Sequence, residues 1–224
     1  MNNEKDMIAL LSFPRSGNHL VRFIIEYLTE RATLGCKGNR KKDPEICKKI
    51  NSNFLQNVDI NNPIIEKWHR SWVIPNDSHK GLIMILRHPI EACISHNKKY
   101  IFNKELMTNK IIDTKKWFLK NLNYYQSYNG YKEIIIYENL VFSNYQKEIR
   151  KIVSFLNISN DKKLEDFLRN FKKYKKEAFT VLPRKAKSNN SQYYRNKVEK
   201  IKLNKIESIL SEVLNHSLIS NIYY

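Results

Sequence analysis

The chain has 224 residues and carries 40 Lys and Arg against 22 Asp and Glu, a formal net charge of +18. That length suffices for one sizeable α/β core, no Pro/Gly/Ser-rich linker divides it, and the positive excess favours anionic ligands or surfaces, although the abundance of Asn, Lys and Ile also fits AT-rich coding. Cys36, Cys47 and Cys93 are odd in number and lack C-x-x-C spacing, which argues against a disulfide framework or a zinc site and fits a reducing cytoplasm.

In chain order, Met1 to Asp6 is polar and only seven largely apolar residues follow before Pro14, too few for a signal-peptide core or a membrane span. The expectation is a soluble, cytoplasmic protein. Ile8 to Phe13 reads as a buried strand, and Leu20, Phe23, Ile24, Tyr27 and Leu28 recur at helical spacing, so a helix follows over Leu20 to Leu28. Ala32 to Asn62 has no clear period and reads as loop with a short helix or two, with a basic run at Lys37 to Lys42. Leu82 to Leu86 is a continuous apolar run, as in a parallel strand covered on both faces. A helix is predicted from Ile90 to Tyr100, another from Thr114 to Tyr128, and a third buried strand at Ile134 to Tyr137. Helices follow at Ser143 to Leu156 and Asp161 to Phe171, then a basic irregular stretch from Phe179 to Asn196 and a last helix from Leu203 to Leu214. This alternation predicts a single α/β domain over residues 1–224, with a central parallel sheet, helices on both faces and ligands at the carboxyl ends of the strands.

The most informative segment is Ser12-Phe13-Pro14-Arg15-Ser16-Gly17-Asn18-His19, which joins the first strand to the first helix. A helix N-terminus presents unpaired N–H groups and a partial positive charge, Gly17 lets the turn approach an anion closely, and Arg15 adds a cation. Laid over G-x-x-x-x-G-K-[ST], the segment keeps Gly17 at the second glycine but has Ser12 at the first. Asn18 falls at the lysine and His19 at the Mg²⁺-holding hydroxyl. The phosphate cradle is kept and the metal ligand is not, so no metal is expected.

The run Pro14-Arg15-Ser16-Gly17-Asn18 resembles the 5′-phosphosulfate loop of sulfotransferases that use 3′-phosphoadenosine 5′-phosphosulfate (PAPS), where a strand ends in P-[KR]-S-G-[TN]. A second signature of that family is a strand-end Arg followed eight residues later by a helical Ser, and Leu86-Arg87 leads to Ser95 at that spacing. The resemblance implies a P-loop-like fold and in-line transfer of a sulfuryl group from PAPS to an acceptor hydroxyl. It implies that Arg15, Ser16, Gly17, Asn18 and His19 hold the 5′-phosphosulfate, Arg87 and Ser95 the 3′-phosphate, and Tyr137, in Tyr137-Glu138-Asn139-Leu140, the adenine. Lys67-Trp68-His69 stands where the family has K-x-H, which makes His69 the general base and Lys67 its helper at the sulfuryl oxygens. His19, His88, His96 and an acidic side chain, which some branches of the family use, are rival bases. Arg184-Lys185-Ala186 is similar to the element that closes over the 3′-phosphate, without its glycines and Trp, and Leu20 stands where many cytosolic members have Trp.

The acceptor implied is a small molecule or a glycan. The basic runs at Lys37 to Lys42 and Arg184 to Arg195 suit a polar or anionic one, whereas Trp68, Trp72 and the tyrosines near 124 to 131 would suit a phenol. Two other readings stand beside this one: a nucleotide kinase or NTPase with a degenerate phosphate loop, and a basic nucleic-acid-binding module. No nucleic-acid partner is expected under the first reading.

Overall fold

The computed structural model describes residues 7–35, 55, 57–74, 79–102, 106–180 and 195–224. Strand β1 (Ile8–Ser12) is buried along its whole length, and so is β4 (Gly81–Leu86), because neither carries a charged residue and the one polar side chain, Ser12, accepts a hydrogen bond from Asn18. Both lie inside a five-stranded, all-parallel sheet of order β2-β3-β1-β4-β5, where β2 is Thr33–Leu34, β3 is Ile65–Trp68 and β5 is Tyr131–Ile136. Alternation along the strands assigns the faces. Ile8, Leu10, Ile83 and Ile85 pack with Phe23 and Ile24 of helix α1 (Asn18–Thr29) and with helices α5 (Tyr145–Phe155), α6 (Asp161–Arg169) and α7 (Phe171–Thr180). Ala9, Leu11, Leu82, Met84 and Leu86 pack on the other side with α2 (Pro89–His96), α4 (Thr108–Ser127), α8 (Lys200–Leu214) and α9 (Ser217–Tyr223). Each fully buried Leu or Ile contributes roughly 1.5–3 kcal/mol relative to exposure, so these two layers carry most of the sheet's stability.

The expected α/β architecture with a parallel sheet and two helical layers is therefore present. Several boundaries differ for physical reasons. The helix predicted from Ile90 to Tyr100 is two helices, α2 and α3 (Lys98–Ile101), because the buried Asn97 side chain bonds the Cys93 carbonyl (3.1 Å) and Thr114 Oγ1 (2.8 Å), competing with the backbone ladder. Asn170 likewise caps the Asp166 carbonyl (3.1 Å), so the helix predicted to run to Phe171 stops at Arg169 and α7 begins anew. Two strands were not predicted. β2 is only two residues long, and Thr33 is held by Glu26 Oε1, which accepts its N–H (2.9 Å), and by Arg22 Nε, which donates to its hydroxyl (2.7 Å). β3, Ile-Glu-Lys-Trp, has two charged residues between two apolar ones, and its buried Glu66 meets His79 at 3.3 Å.

Sheet order places β1 between β3 and β4, so the chain crosses from one side of β1 to the other between them. The carboxyl end of β1 is thus the topological switch point, where an open parallel sheet leaves a crevice.

Candidate functional site

Four strand ends deliver the predicted residues to that crevice: Ser12 and the loop after it from β1, Lys67 and His69 from β3, Arg87 from β4, and Tyr137 from β5. The loop needs unusual backbone. Arg15 (φ 72°) and Gly17 (φ 84°) are both left-handed, and Gly17 caps α1. The Tyr137 ring lies so close to Gly17 that a Cβ there would sit 2.5 Å from Cδ2, so glycine is required by space as well as by φ.

Arg87 joins the loop to the other motif. Its Nη1 donates to the Arg15 carbonyl at 2.6 Å, its guanidinium stacks over the Tyr137 ring at 4.8 Å, and Nη2 lies 3.9 Å from Glu91 on α2. Ser95 is buried in the second turn of α2. Arg15 itself is exposed and makes no ion pair with a described residue. Two buried donors, Ser16 Oγ and Arg87 Nε, have no hydrogen-bond partner among the described residues. Leaving such donors unpaired costs about 1–3 kcal/mol each, a cost that anionic oxygens would remove. Arg184 and Lys185 lie outside the described residues.

His69 is held from both sides. Its Nδ1 lies 2.8 Å from the Ser12 carbonyl and 3.3 Å from Ser12 Oγ, which in turn accepts from Asn18 Nδ2 at 3.0 Å. A carbonyl can only accept, so Nδ1 carries the proton and Nε2 keeps its lone pair. The His69 carbonyl accepts from Trp117 Nε1 and from Asn121 Nδ2 (3.0 Å), one turn apart on α4. Burial, reinforced by the Lys67 charge, pushes its pKa down to about 3 against the opposing pull of the Ser12 carbonyl. His19 is also pushed to about 3, by burial and then by Lys67, Arg22 and Arg15. His88 is lowered to about 4 by burial and then by Arg195 and Arg87. All three are neutral at physiological pH.

These shifts make stability pH-dependent in a definite sense. Unfolded histidines take up protons below about 6.5, whereas these three refuse them until about 3 to 4, so their contribution is intact above pH 6.5 and is lost as pH falls below it. Glu91 works the other way, its pKa being raised from 4.5 to about 7 by burial, but it is one group against three. The expected result is a loss of roughly 2 kcal/mol between pH 6.5 and 5.5, since each histidine contributes about 1 kcal/mol over that interval, where its unfolded form goes from half to nearly fully protonated, and Glu91 offsets about 1 kcal/mol. Urea unfolding at the two pH values measures it, and an equal or higher midpoint at pH 5.5 would contradict it.

Sequence reasoning missed Trp117 and Asn121 as clamps on His69, although their four-residue spacing on a predicted helix was visible. It also missed Glu138 and Tyr223, whose contacts with the β4 end depend on where α9 packs. Among the described residues no three His, Cys, Asp or Glu side chains gather into a group that could hold a metal ion, and no helix is long and apolar enough to cross a membrane.

With this geometry in view, solved structures decide the fold. Mouse sulfotransferase SULT7A1, crystallised with PAP, superposes with a TM-score of 0.64 over 96% of this chain and 87% of its own, at 17% identity. The chain has the sulfotransferase fold. Retinol dehydratase in complex with retinol and PAP is similar at a TM-score of 0.61, 11% identity, and 96% and 82% coverage. The sulfotransferase domain of the curacin biosynthetic pathway gives 0.53, 15%, and 92% and 98%. No protein-family model matches the sequence. One curated relative, the WSCD family member GA21586 of Drosophila pseudoobscura pseudoobscura, is 26% identical over 70% of the chain, which spans about half (52%) of that relative's length. Within the sulfotransferase fold the loop after β1 and the strand-end Arg87 occupy the switch-point crevice of the sheet.

Proposed function

We propose that the protein is a sulfotransferase that takes a sulfuryl group from PAPS and passes it to an acceptor hydroxyl, the described site forming part of a single catalytic domain. The observation that carries this reading is the junction of two anion-binding motifs: Arg87 reaches the carbonyl of Arg15 at 2.6 Å, while Ser16 Oγ and Arg87 Nε are buried donors without an acceptor among the described residues. PAPS has two anionic ends for two such sites, and its phosphosulfate supplies the activated sulfuryl group. Arg15, Ser16 and the N–H groups that open α1 bind and orient the 5′ end, where charge grows on the departing phosphate. Arg87 and Ser95 fit the 3′-phosphate, with the Arg fork suited to phosphate oxygens. Tyr137 supplies an aromatic face between the two.

In this reading His69 receives the acceptor's proton at Nε2, because Nδ1 is already committed to Ser12. Burial, with the Lys67 charge second, keeps that nitrogen unprotonated in the free protein, and pairing of Lys67 with an anionic donor would remove the Lys67 share and raise the basicity of His69 when the site fills.

The acceptor surface beside His69 favours a polar substrate, the hydroxyl of a glycan or other polar metabolite. Trp68 is buried at 4% exposure and cannot line an open phenol pocket, whereas Trp72 is 46% exposed. Trp72 is not a bare apolar face: Arg70 lies over both Trp72 (5.9 Å) and Trp117 (5.3 Å), and Lys120 Nζ stands 4.8 Å from the Trp72 ring. Lys37 to Lys42 lie outside the described residues, and Arg195 is paired with Glu207. A panel of phenols, sugars and glycans assayed with labelled PAPS should show transfer to polar acceptors that weakens as salt rises. Efficient, salt-insensitive transfer to simple phenols would sink that assignment.

For the nucleotide, 3′-phosphoadenosine 5′-phosphate (PAP) should raise the melting temperature well above the shift given by adenosine 5′-phosphate (AMP), and Arg87→Ala should erase the difference. Greater stabilisation by ATP with Mg²⁺ than by PAP would instead support a kinase or NTPase.

A further inference from the structure

Glu138 follows Tyr137 at the end of β5, and its two carboxylate oxygens are both engaged. Oε1 accepts the backbone N–H of His88 at 3.1 Å, and Oε2 accepts the Tyr223 hydroxyl at 2.8 Å. The same hydroxyl stands 3.5 Å from the carbonyl of Leu86. Leu86 and His88 are the residues on either side of Arg87, so the backbone flanking this arginine is tied on both sides to one carboxylate–phenol pair. The Tyr223 ring also packs edge-on against His88, with centroids 5.1 Å apart. Arg87 then reaches from this anchored turn to the Arg15 carbonyl and the Tyr137 ring.

We propose that Glu138 and Tyr223 are positioning residues that set the Arg87 guanidinium for the 3′-phosphate, coupling helix α9 to nucleotide selectivity. The inference rests on the nucleotide reading above, but it concerns residues on which that reading does not depend. The physical argument is reach. The Arg side chain has several soft torsions, and a fork of donors discriminates a phosphate only if its backbone origin is fixed. Two bonds reach the two consecutive peptide units around Arg87, a third joins Tyr223 to Glu138, and a ring contact holds the His88 side chain; the anchors come from the end of β5 and from α9, which are far apart in sequence. Burial and the adjacent Glu138 push the Tyr223 phenol upward in pKa, so it remains an O–H donor.

The test is the ratio of PAP to AMP affinity, measured by calorimetry on the full chain. Tyr223→Phe keeps the ring against His88 and removes only the hydroxyl, and it should lower the ratio roughly 10-fold through weaker PAP binding, with AMP affinity unchanged. Glu138→Ala should do the same. Glu138→Gln, which can still accept from the His88 N–H and turn its amide toward the Tyr223 oxygen, should restore most of the ratio. In an Arg87→Ala background Tyr223→Phe should have no further effect on the ratio. A merely structural role would lower the melting temperature and leave the ratio alone. An unchanged ratio in Tyr223→Phe, in a protein whose wild type prefers PAP, overturns the positioning role while leaving the nucleotide reading standing. A wild type indifferent to the 3′-phosphate overturns both.

Discussion

Replacing His69 by Ala should lower turnover roughly 10²- to 10⁴-fold while leaving PAP affinity nearly intact, because the side chain's task in this mechanism is proton acceptance. The site is built to present one nitrogen. Nδ1 is spent on Ser12, the backbone carbonyl is clamped by Trp117 and Asn121, and burial with Lys67 keeps the ring neutral. The pH dependence gives a second readout. The acid limb of kcat/KM reports the free enzyme, in which the His69 pKa is near 3, so activity should not decline along an ordinary histidine titration near pH 6.5. The limb of kcat, which reports the filled site, should lie at higher pH, since an anion beside Lys67 favours the imidazolium. Unchanged turnover in His69→Ala would move the base to another residue, with His19 in the phosphate loop next in line.

The second large effect is expected at Gly17. Ala there must adopt φ near 84° and place its Cβ 2.5 Å from Tyr137 Cδ2 and 2.7 Å from Cε2. The left-handed backbone costs roughly 1–2 kcal/mol and overpacking roughly 1–3 kcal/mol, for a total of roughly 2–5 kcal/mol. The ring cannot yield freely, because Arg87 is stacked on it, so displacement of Tyr137 should also weaken PAP binding. Repeating Gly17→Ala in a Tyr137→Ala background separates the two costs. With the ring gone only the φ share should remain in the urea midpoint. An equal cost in both backgrounds would mean that the contact with Tyr137 is not what demands glycine.

Much of this site was legible from local order in the chain. The loop from Ser12 to His19 declares itself because an apolar run stops at Pro14 and a helical period starts at Leu20, with only a phosphate-loop turn between them. Arg87 is legible for the same reason, at the end of the run Leu82 to Leu86. β3 was not, because Ile65-Glu66-Lys67-Trp68 has neither an apolar run nor polar alternation of the half-buried kind, and its Glu66 is buried with His79 as a partner distant in sequence. The breaks at Asn97 and Asn170 were equally hidden, since an Asn within a helical period interrupts it only when its amide finds a carbonyl or hydroxyl to hold.

What the amino-acid sequence determined by itself was a set of parts: which apolar runs are strands, which turn can hold an anion, and which residue types follow those runs, all of these being matters of neighbours a few positions apart. Only the tertiary structure decided which parts meet. The order β2-β3-β1-β4-β5 brings Ser12, His69, Arg87 and Tyr137 to one crevice across the 126 positions of chain from 12 to 137. The seating of α9 adds Tyr223 to the β4 end, a contact that no local pattern encodes because it depends on how helix and sheet surfaces pack across the whole fold.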